Sequence, residues 1–246
     1  MRRVLPWSLI PAREHAAGRA VNVPNGELLV VDDVHAAFAD LVLETSRSAP
    51  ARRVTLALSG GDTARLCYER LARTGGIAWE NIECLLGDER CVPPDDPDAN
   101  QNMIRQVLTE RVPVGGFHPM DCERGPDYEA LVASRLPVDL VHLGLGPDGH
   151  TASLFPGSPA LDAPADRLVV RSIDPTGRNE HERLTFTFAA ISRCRHAVFT
   201  VSGKAKHEAL HRILEGDPLP AARVTAERVT WLCDRESLGE DLDRAR

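Results

Sequence analysis

A histidine displayed on a glycine-flanked turn is the residue of this chain best placed to do chemistry. The segment "HLGLGPDGHTASLFPGSP" (142–159) sets Gly144, Gly146 and Gly149 at the G-x-G-x-x-G spacing of a dinucleotide loop. Such a loop must open a long helix whose N-terminus holds a pyrophosphate. Pro156 and Pro159 leave room for only a turn or two of helix. Pro147, Asp148 and Gly149 instead form a tight-turn sequence, which displays His150 just beyond an apolar run. Histidine as a residue type titrates near pH 6.5, so near neutral pH it is available as a base. His150, with Asp148 beside it, is the candidate catalytic pair, and the dinucleotide spacing is read as coincidence. His142 and His196 lie inside apolar runs and read as structural.

Three further segments carry chemistry-bearing residues. In "LALSGGDTARLCYERLA" (56–72) a strand turns into a helix. Ser59, Gly60 and Gly61 let a ligand approach the backbone closely, and Thr63 stands where the helix begins, so free N–H groups and the helix dipole make a cradle for an anion such as phosphate. A turn that needs its glycines for geometry alone explains this motif nearly as well, and no Walker lysine follows. In "GDERCVPPDDPDAN" (87–100), Asp88, Glu89 and Arg90 stand together at a strand end. Arginine can clamp a phosphate bidentately, while a carboxylate there can orient a sugar hydroxyl or hold the arginine. Asp95, Asp96 and Asp98 read as a solvated acidic loop.

The third segment, "SGKAKHEALHRIL" (202–214), holds the chain's only two lysines, Lys204 and Lys206. Lys206 precedes Leu210 by four and Ile213 by seven, which puts it on the sheet-facing stripe of a helix. Lys204 points elsewhere and reads as solvated. His207, Glu208 and His211 spell H-E-x-x-H, the pattern of zinc-binding helices. The apolar face of Ala209, Leu210, Ile213 and Leu214 leaves these histidines at its flank, and no third histidine follows at metzincin spacing. No metal and no cofactor are expected.

These residues need elements to position them. Apolar runs rich in β-formers predict strands over 27–31, 53–58, 82–87, 139–145, 167–172, 183–188, 196–202 and 228–233. Helical periodicity predicts helices over 34–46, 63–74, 100–112, 128–135 and 204–215. The alternation implies an α/β fold: a mostly parallel, Rossmann-like sheet in a three-layer αβα arrangement. "SGGDT", "GDERCVPPDD", "GPDGHT" and "SGKAK" each begin where a predicted strand ends. Ligands bind outside the carboxyl ends of strands in such sheets, so four strand ends should build one site.

Composition bounds the alternatives. A chain of 246 residues with 43% hydrophobic content suits one α/β domain, and 1–246 is read as a single one. The segment 1–20 has no uninterrupted apolar run, and nowhere do 18 apolar residues occur together, so a cytoplasmic protein without membrane attachment is expected. Six scattered cysteines without a C-x-x-C pair make reduced thiols the default. The net charge of -7 argues against general affinity for nucleic acid or anionic membranes. A small molecule is the expected partner, and nothing in the sequence names a protein partner.

From about Val30 to Asp234 the sequence closely resembles the 6-phosphogluconolactonase family, within the glucosamine-6-phosphate deaminase and isomerase superfamily. "LGLGPDGHTASLFPGSPAL" is the most specific stretch, supported in order by "LSGGDTA", "GDERCVP", "ERLTFTFAAI", "SGKAKHEAL" and "LPAARV". The resemblance implies hydrolysis of 6-phospho-D-glucono-1,5-lactone in the oxidative pentose phosphate pathway, without metal or cofactor. It implies His150 as the acid/base residue, Arg90 and Lys206 as handlers of the anionic substrate, and the "SGG" loop as a phosphate contact. The family usually reads S-G-G-S-T-P where this chain has "SGGDTA", so Asp62 is expected to point away from a phosphate or to cap the next helix. Of the family's Ser-Asn pair only Asn100 carries over.

A deaminase or isomerase on the same fold usually reads toward Asn-Glu-Pro after "DGH", where this chain has "TASLFPG". A sugar-phosphate sensor would carry a helix-turn-helix outside the core, and the first ~25 residues have neither the length nor the basic patch for one. A zinc hydrolase is the remaining alternative, distinguishable by its sensitivity to chelators.

Overall fold

The structure, a computed structural model, describes residues 20–23, 25–49 and 52–239. Nearly all of the N-terminal segment considered above therefore lies outside the described residues. Strands β1 (Ala20–Val23) and β2 (Gly26–Val30) form a hairpin, followed by α1 (Val34–Ser48), β3 (Val54–Leu58), α2 (Asp62–Ala72), β4 (Ile82–Leu86) and a short β5 (Asp88–Arg90). After α3 (Asn100–Ile104) come β6 (Gly116–Phe117), α4 (Gly125–Arg135), β7 (Leu140–Leu143), β8 (Val169–Ser172) and β9 (Arg183–Phe186). The chain continues through α5 (Phe188–Ile191), β10 (His196–Val201), α6 (His207–Leu214), β11 (Arg228–Cys233) and α7 (Arg235–Leu238).

Eight strands make the main sheet in the order β1-β2-β11-β10-β7-β3-β4-β6, parallel throughout except for β1. Every residue of β3, β4 and β7 is buried. Continuous burial means that both faces are covered, the condition that gives parallel strands uninterrupted apolar runs rather than alternation. This is the three-layer α/β arrangement expected from the sequence.

The expectations for 167–172 and 183–188 need correction, because those strands do not join the parallel sheet. β8 and β9 pair antiparallel with each other, and β9 pairs antiparallel with β5, in a separate three-stranded sheet. Apolar patterning reports that a segment is extended and half-buried; it does not report its partner. Two helices also change character along their length. The helix expected over 100–112 turns into a π-helix at Arg105–Thr109, and that expected over 204–215 begins as a 3₁₀ turn at Lys204–Lys206. Among the described residues no helix is long and apolar enough to cross a membrane.

Reduced thiols are also corrected, since Cys91 and Cys122 form a disulfide with Cα atoms 5.5 Å apart. The chain leaves β5, runs out through α3 and the edge strand β6, and returns beside its starting point. No short cysteine spacing advertises such a closure. Closing a loop of sequence separation 31 stabilises the folded chain by about 3–4 kcal/mol in the chain-entropy account. Cys91→Ser is accordingly expected to lower the urea unfolding midpoint, with the loss disappearing when wild type is measured under reductant.

Candidate active site

The carboxyl ends of β3, β4, β7 and β10 converge on one cleft, lined by all four of the loops expected there. Its cavity of about 190 Å³ falls below the ~300–1,000 Å³ of drug-sized sites and suits one small ligand rather than a dinucleotide.

His150 enters the cleft from the loop after β7. Gly146 N–H donates to His150 O at 2.8 Å and Gly149 N–H to Gly146 O at 3.0 Å, so the segment is a tight turn and no helix follows it directly. Gly149 has φ +83°, a conformation that favours glycine. His150 Nδ1 lies 2.5 Å from Asp148 Oδ1, and Asp148 also accepts the His150 backbone N–H at 3.2 Å. Burial would raise the Asp148 carboxyl, but the hydrogen bonds from His150 outweigh it and hold the group below its ordinary range. An ionised carboxylate only accepts, so Nδ1 carries the proton and Nε2 keeps its lone pair for the cleft. The ring packs on Phe155, with centroids 4.7 Å apart. Ala152, two residues on, has φ +48°, a strained backbone for a residue with a Cβ.

The loop after β3 presents the start of α2. Arg65 N–H makes the first bond of the helix, to Gly61 O, so the N–H groups before it are left unpaired by the helix. Gly61, at the cap position with φ +93°, offers no side chain to satisfy them. Gly60 is needed for space, because a Cβ there would sit 1.8 Å from Asn100 Oδ1. Thr63 lines the same opening. Asp62 does not cap the helix; it is the first helical residue and its side chain is 99% exposed. Ser59 lines the cleft but commits its donors inward, Oγ to His142 O at 2.8 Å and N–H to the Tyr68 hydroxyl at 2.8 Å. A phosphate would therefore meet the backbone of Gly60 through Ala64 rather than the Ser59 hydroxyl.

The loop after β4 supplies Asp88, Arg90 and, from α3, Asn100. Glu89 is 1% exposed and accepts N–H groups of Arg90, Asn100 and Gln101 at 2.7–2.8 Å, which ties β5 to the start of α3. Burial pushes its carboxyl up to about 7 against the pull of those donors. Asn100 Nδ2 donates to Asp88 O at 2.9 Å, and Asp88 accepts the Ser153 hydroxyl at 2.7 Å. Arg90 Nη1 reaches Asp98 O at 2.5 Å. Lys206, from the 3₁₀ turn after β10, also lines the cleft, whereas Lys204 is exposed. Burial lowers the Lys206 ammonium, and the negative charges of Asp148 and Asp62 pull it back up. Lys206 therefore feels both the catalytic candidates and the start of α2.

Arg183 lines the cleft as well, where the sequence left open whether Arg178 or Arg183 joins the phosphate site, and so does Asn179, which sequence reasoning did not name. Arg183 belongs to β9, whose antiparallel register sets it directly opposite Arg90. Its side chain is buried, 4.0 Å from Asp88 and 5.6 Å from the Phe155 ring that also supports His150. Arg90 Nε, Arg183 Nε and Asn100 Oδ1 are buried without a protein partner, the condition in which polar groups serve a ligand.

Asn179 is held by Asp174, which accepts its N–H at 3.1 Å and its side-chain amide at 2.8 Å, along with the N–H and hydroxyl of Thr176. Burial acts to raise the Asp174 carboxyl, but these donors bring it down to about 2. A carboxyl lowered by folding contributes stability above its ordinary value of 3.8 and loses it as the pH falls toward 2. The urea-measured stability gap between wild type and Asp174→Asn is thus expected to be largest above pH 4 and to narrow toward pH 2.

Of the remaining histidines of interest only His142 is a core residue, while His196, His207 and His211 are partly exposed. His142 is buried, bonded to the Tyr68 hydroxyl and to Thr200, and burial pushes it down to about 3. His196 is bonded to Thr230. His207 and His211 stand 6.0 Å apart, and among the described residues no group of three His, Cys, Asp or Glu side chains could hold a metal.

The chain also matches known proteins in sequence and fold. Residues 31–231 match the family model described as glucosamine-6-phosphate isomerases/6-phosphogluconolactonase. A 6-phosphogluconolactonase of Synechocystis is 40% identical over 209 residues, covering 76% of this chain and 84% of the relative. Among solved structures, a 6-phosphogluconolactonase from Thermotoga maritima is 32% identical with a TM-score of 0.71, covering 84% of this chain and 98% of its own. One from Trypanosoma brucei is 26% identical with a TM-score of 0.76, covering 89% and 99%. The chain therefore belongs to the family of glucosamine-6-phosphate isomerases and 6-phosphogluconolactonases.

Proposed function

We propose that the cleft hydrolyses 6-phospho-D-glucono-1,5-lactone to 6-phospho-D-gluconate, the lactone-opening step of the oxidative pentose phosphate pathway. The observation that carries this reading is His150, fixed by Asp148 at 2.5 Å and facing a cleft that combines three cations with an open helix N-terminus. A δ-lactone is an activated ester, so a positioned water, a base and stabilisation of the developing oxyanion suffice; no nucleophilic serine or cysteine is required. His150 Nε2 takes a proton from the water as its oxygen bonds to C1. When the C1–ring oxygen bond breaks, the imidazolium returns that proton to the departing oxygen. Asp148 holds the tautomer throughout and steadies the transient imidazolium.

The phosphate lies across the sugar from C1, so its anchors must come from other strand ends than the one bearing His150. The start of α2 (Gly60, Gly61, Thr63) with Lys206 forms that anchor, while Arg90, Arg183, Asn100 and Asp88 line the remaining wall, where the substrate's hydroxyls need donors and acceptors. Supporting the lactonase over a deaminase on the same fold is "TASLFPG" after His150. A single domain over 1–246 and a cytoplasmic setting belong to the same proposal. The test is hydrolysis of freshly generated lactone in the presence of chelator, corrected for spontaneous opening. Turnover well above the buffer rate supports the reading; a rate equal to buffer, or ammonia release from glucosamine 6-phosphate in its place, overturns it.

A further inference from the structure

We propose that Cys91 and Cys122 are a redox-modifiable pair, opened by a dithiol reductant, that sets how tightly the cleft holds the phosphorylated ligand. Where a disulfide occurs in an intracellular enzyme it is more often a redox sensor than a staple. The other four cysteines cannot compete for a reagent: Cys67, Cys84, Cys194 and Cys233 are fully buried. Burial raises all four thiols, the first three to about 12, which suppresses the reactive thiolate. Cys91 and Cys122 are only half-buried, and both line a separate cavity of about 540 Å³ through which a reductant can reach them.

The bond sits one residue from the cleft. Arg90 immediately precedes Cys91, and its side chain lines both cavities. Cys91 N–H is bonded to Glu182 O at 2.8 Å, while Cys122 O accepts Arg171 Nη2 at 2.9 Å and Arg171 Nη1 also reaches the Glu182 carboxylate at 2.5 Å. The disulfide thus clamps the end of β5 between β9 and the turn at Cys122–Arg124. Within the loop it closes, Asn100 lines the cleft and the Gln101 side chain meets Met120 O at 3.5 Å. Opening the bond leaves Arg90 and Asn100 without that clamp. Asn100 abuts Gly60 so closely that a Cβ on that glycine would meet its side-chain oxygen at 1.8 Å, so a shift of Asn100 reaches the phosphate-facing start of α2. His150 and Asp148, on the loop after β7, touch neither cysteine.

Reduction breaks one S–S bond, and two electrons and two protons from the dithiol give two protein thiols and the reductant's own disulfide. Reduced enzyme is expected to show a KM for the lactone raised roughly 5-fold or more, a scale typical of coupled sites, with kcat nearly unchanged. This effect rests on the lactonase reading only where turnover is measured, so binding of inorganic phosphate by calorimetry is measured in parallel. Alkylation of native protein followed by mass spectrometry should gain two labels on reduction, at Cys91 and Cys122. A Cys91→Ser/Cys122→Ser double variant, checked to be folded at the assay temperature, should match reduced wild type and ignore the reductant. The proposal is overturned if no disulfide forms under oxidising conditions, or if KM and phosphate affinity are the same in both states. If lactone turnover is absent while phosphate affinity still follows the redox state, the lactonase reading fails and the redox pair stands.

Discussion

His150→Ala is expected to lower kcat by about 100- to 10,000-fold, the range in which a positioned acid–base group contributes. Among the described residues that line the cleft, the imidazole is the one group with a free basic nitrogen held in place by a carboxylate, and the lactone carbonyl needs little activation beyond deprotonating the water. KM is expected to change far less, because the proposed phosphate anchors come from α2 and Lys206 rather than from the loop after β7. Asp148→Asn keeps the shape of the turn but replaces the acceptor that fixes the imidazole tautomer, and is expected to lower kcat as well. Steady-state kinetics on fresh lactone, with the spontaneous rate subtracted, checks both. A His150→Ala enzyme within tenfold of wild type would remove His150 from the mechanism.

Gly146→Ala should be nearly as damaging without touching a chemical group. A Cβ at this position would lie 2.1 Å from His150 Nδ1 and 2.2 Å from Cε1, so the imidazole must leave its place beside Asp148. The backbone cannot yield easily, since Gly146 is bonded to both His150 and Gly149 across the turn. Overpacking of this kind costs about 1–3 kcal/mol of stability, which leaves the protein folded but its base misplaced. The expected outcome is a kcat within tenfold of that of His150→Ala, with a cooperative thermal transition retained. Wild-type kcat in Gly146→Ala would mean that the position of the ring against Asp148 does not matter.

These two residues also show what the sequence could and could not convey. The prolines after His150 excluded a long helix, and Pro147–Gly149 specified a turn, so the presentation of His150 was legible from local chain stereochemistry. The meeting of four loops was legible too, because parallel strands point their carboxyl ends the same way. Pairing is different. β8 and β9 read correctly as strands, yet β9 pairs with β5 and β8 with β9 rather than with the parallel sheet, and only the register that sets Arg90 against Arg183 brings Arg183 into the cleft. Nothing in the spacing of 90 and 183 carries that register. The Cys91–Cys122 bond was missed for the same reason, since it depends on how α3 and β6 return the chain. Ser59 illustrates the opposite failure: its place in the glycine loop was foreseen, but its hydroxyl is spent on His142 O, a neighbour that only the folded sheet supplies.

The most direct test of the central claim is the structure of the protein with 6-phosphogluconate bound. The account predicts the phosphate against the N–H groups that open α2, within reach of Lys206, and the C1 carboxylate within hydrogen-bond distance of His150 Nε2. A product bound the other way round, or with C1 remote from His150, would contradict it.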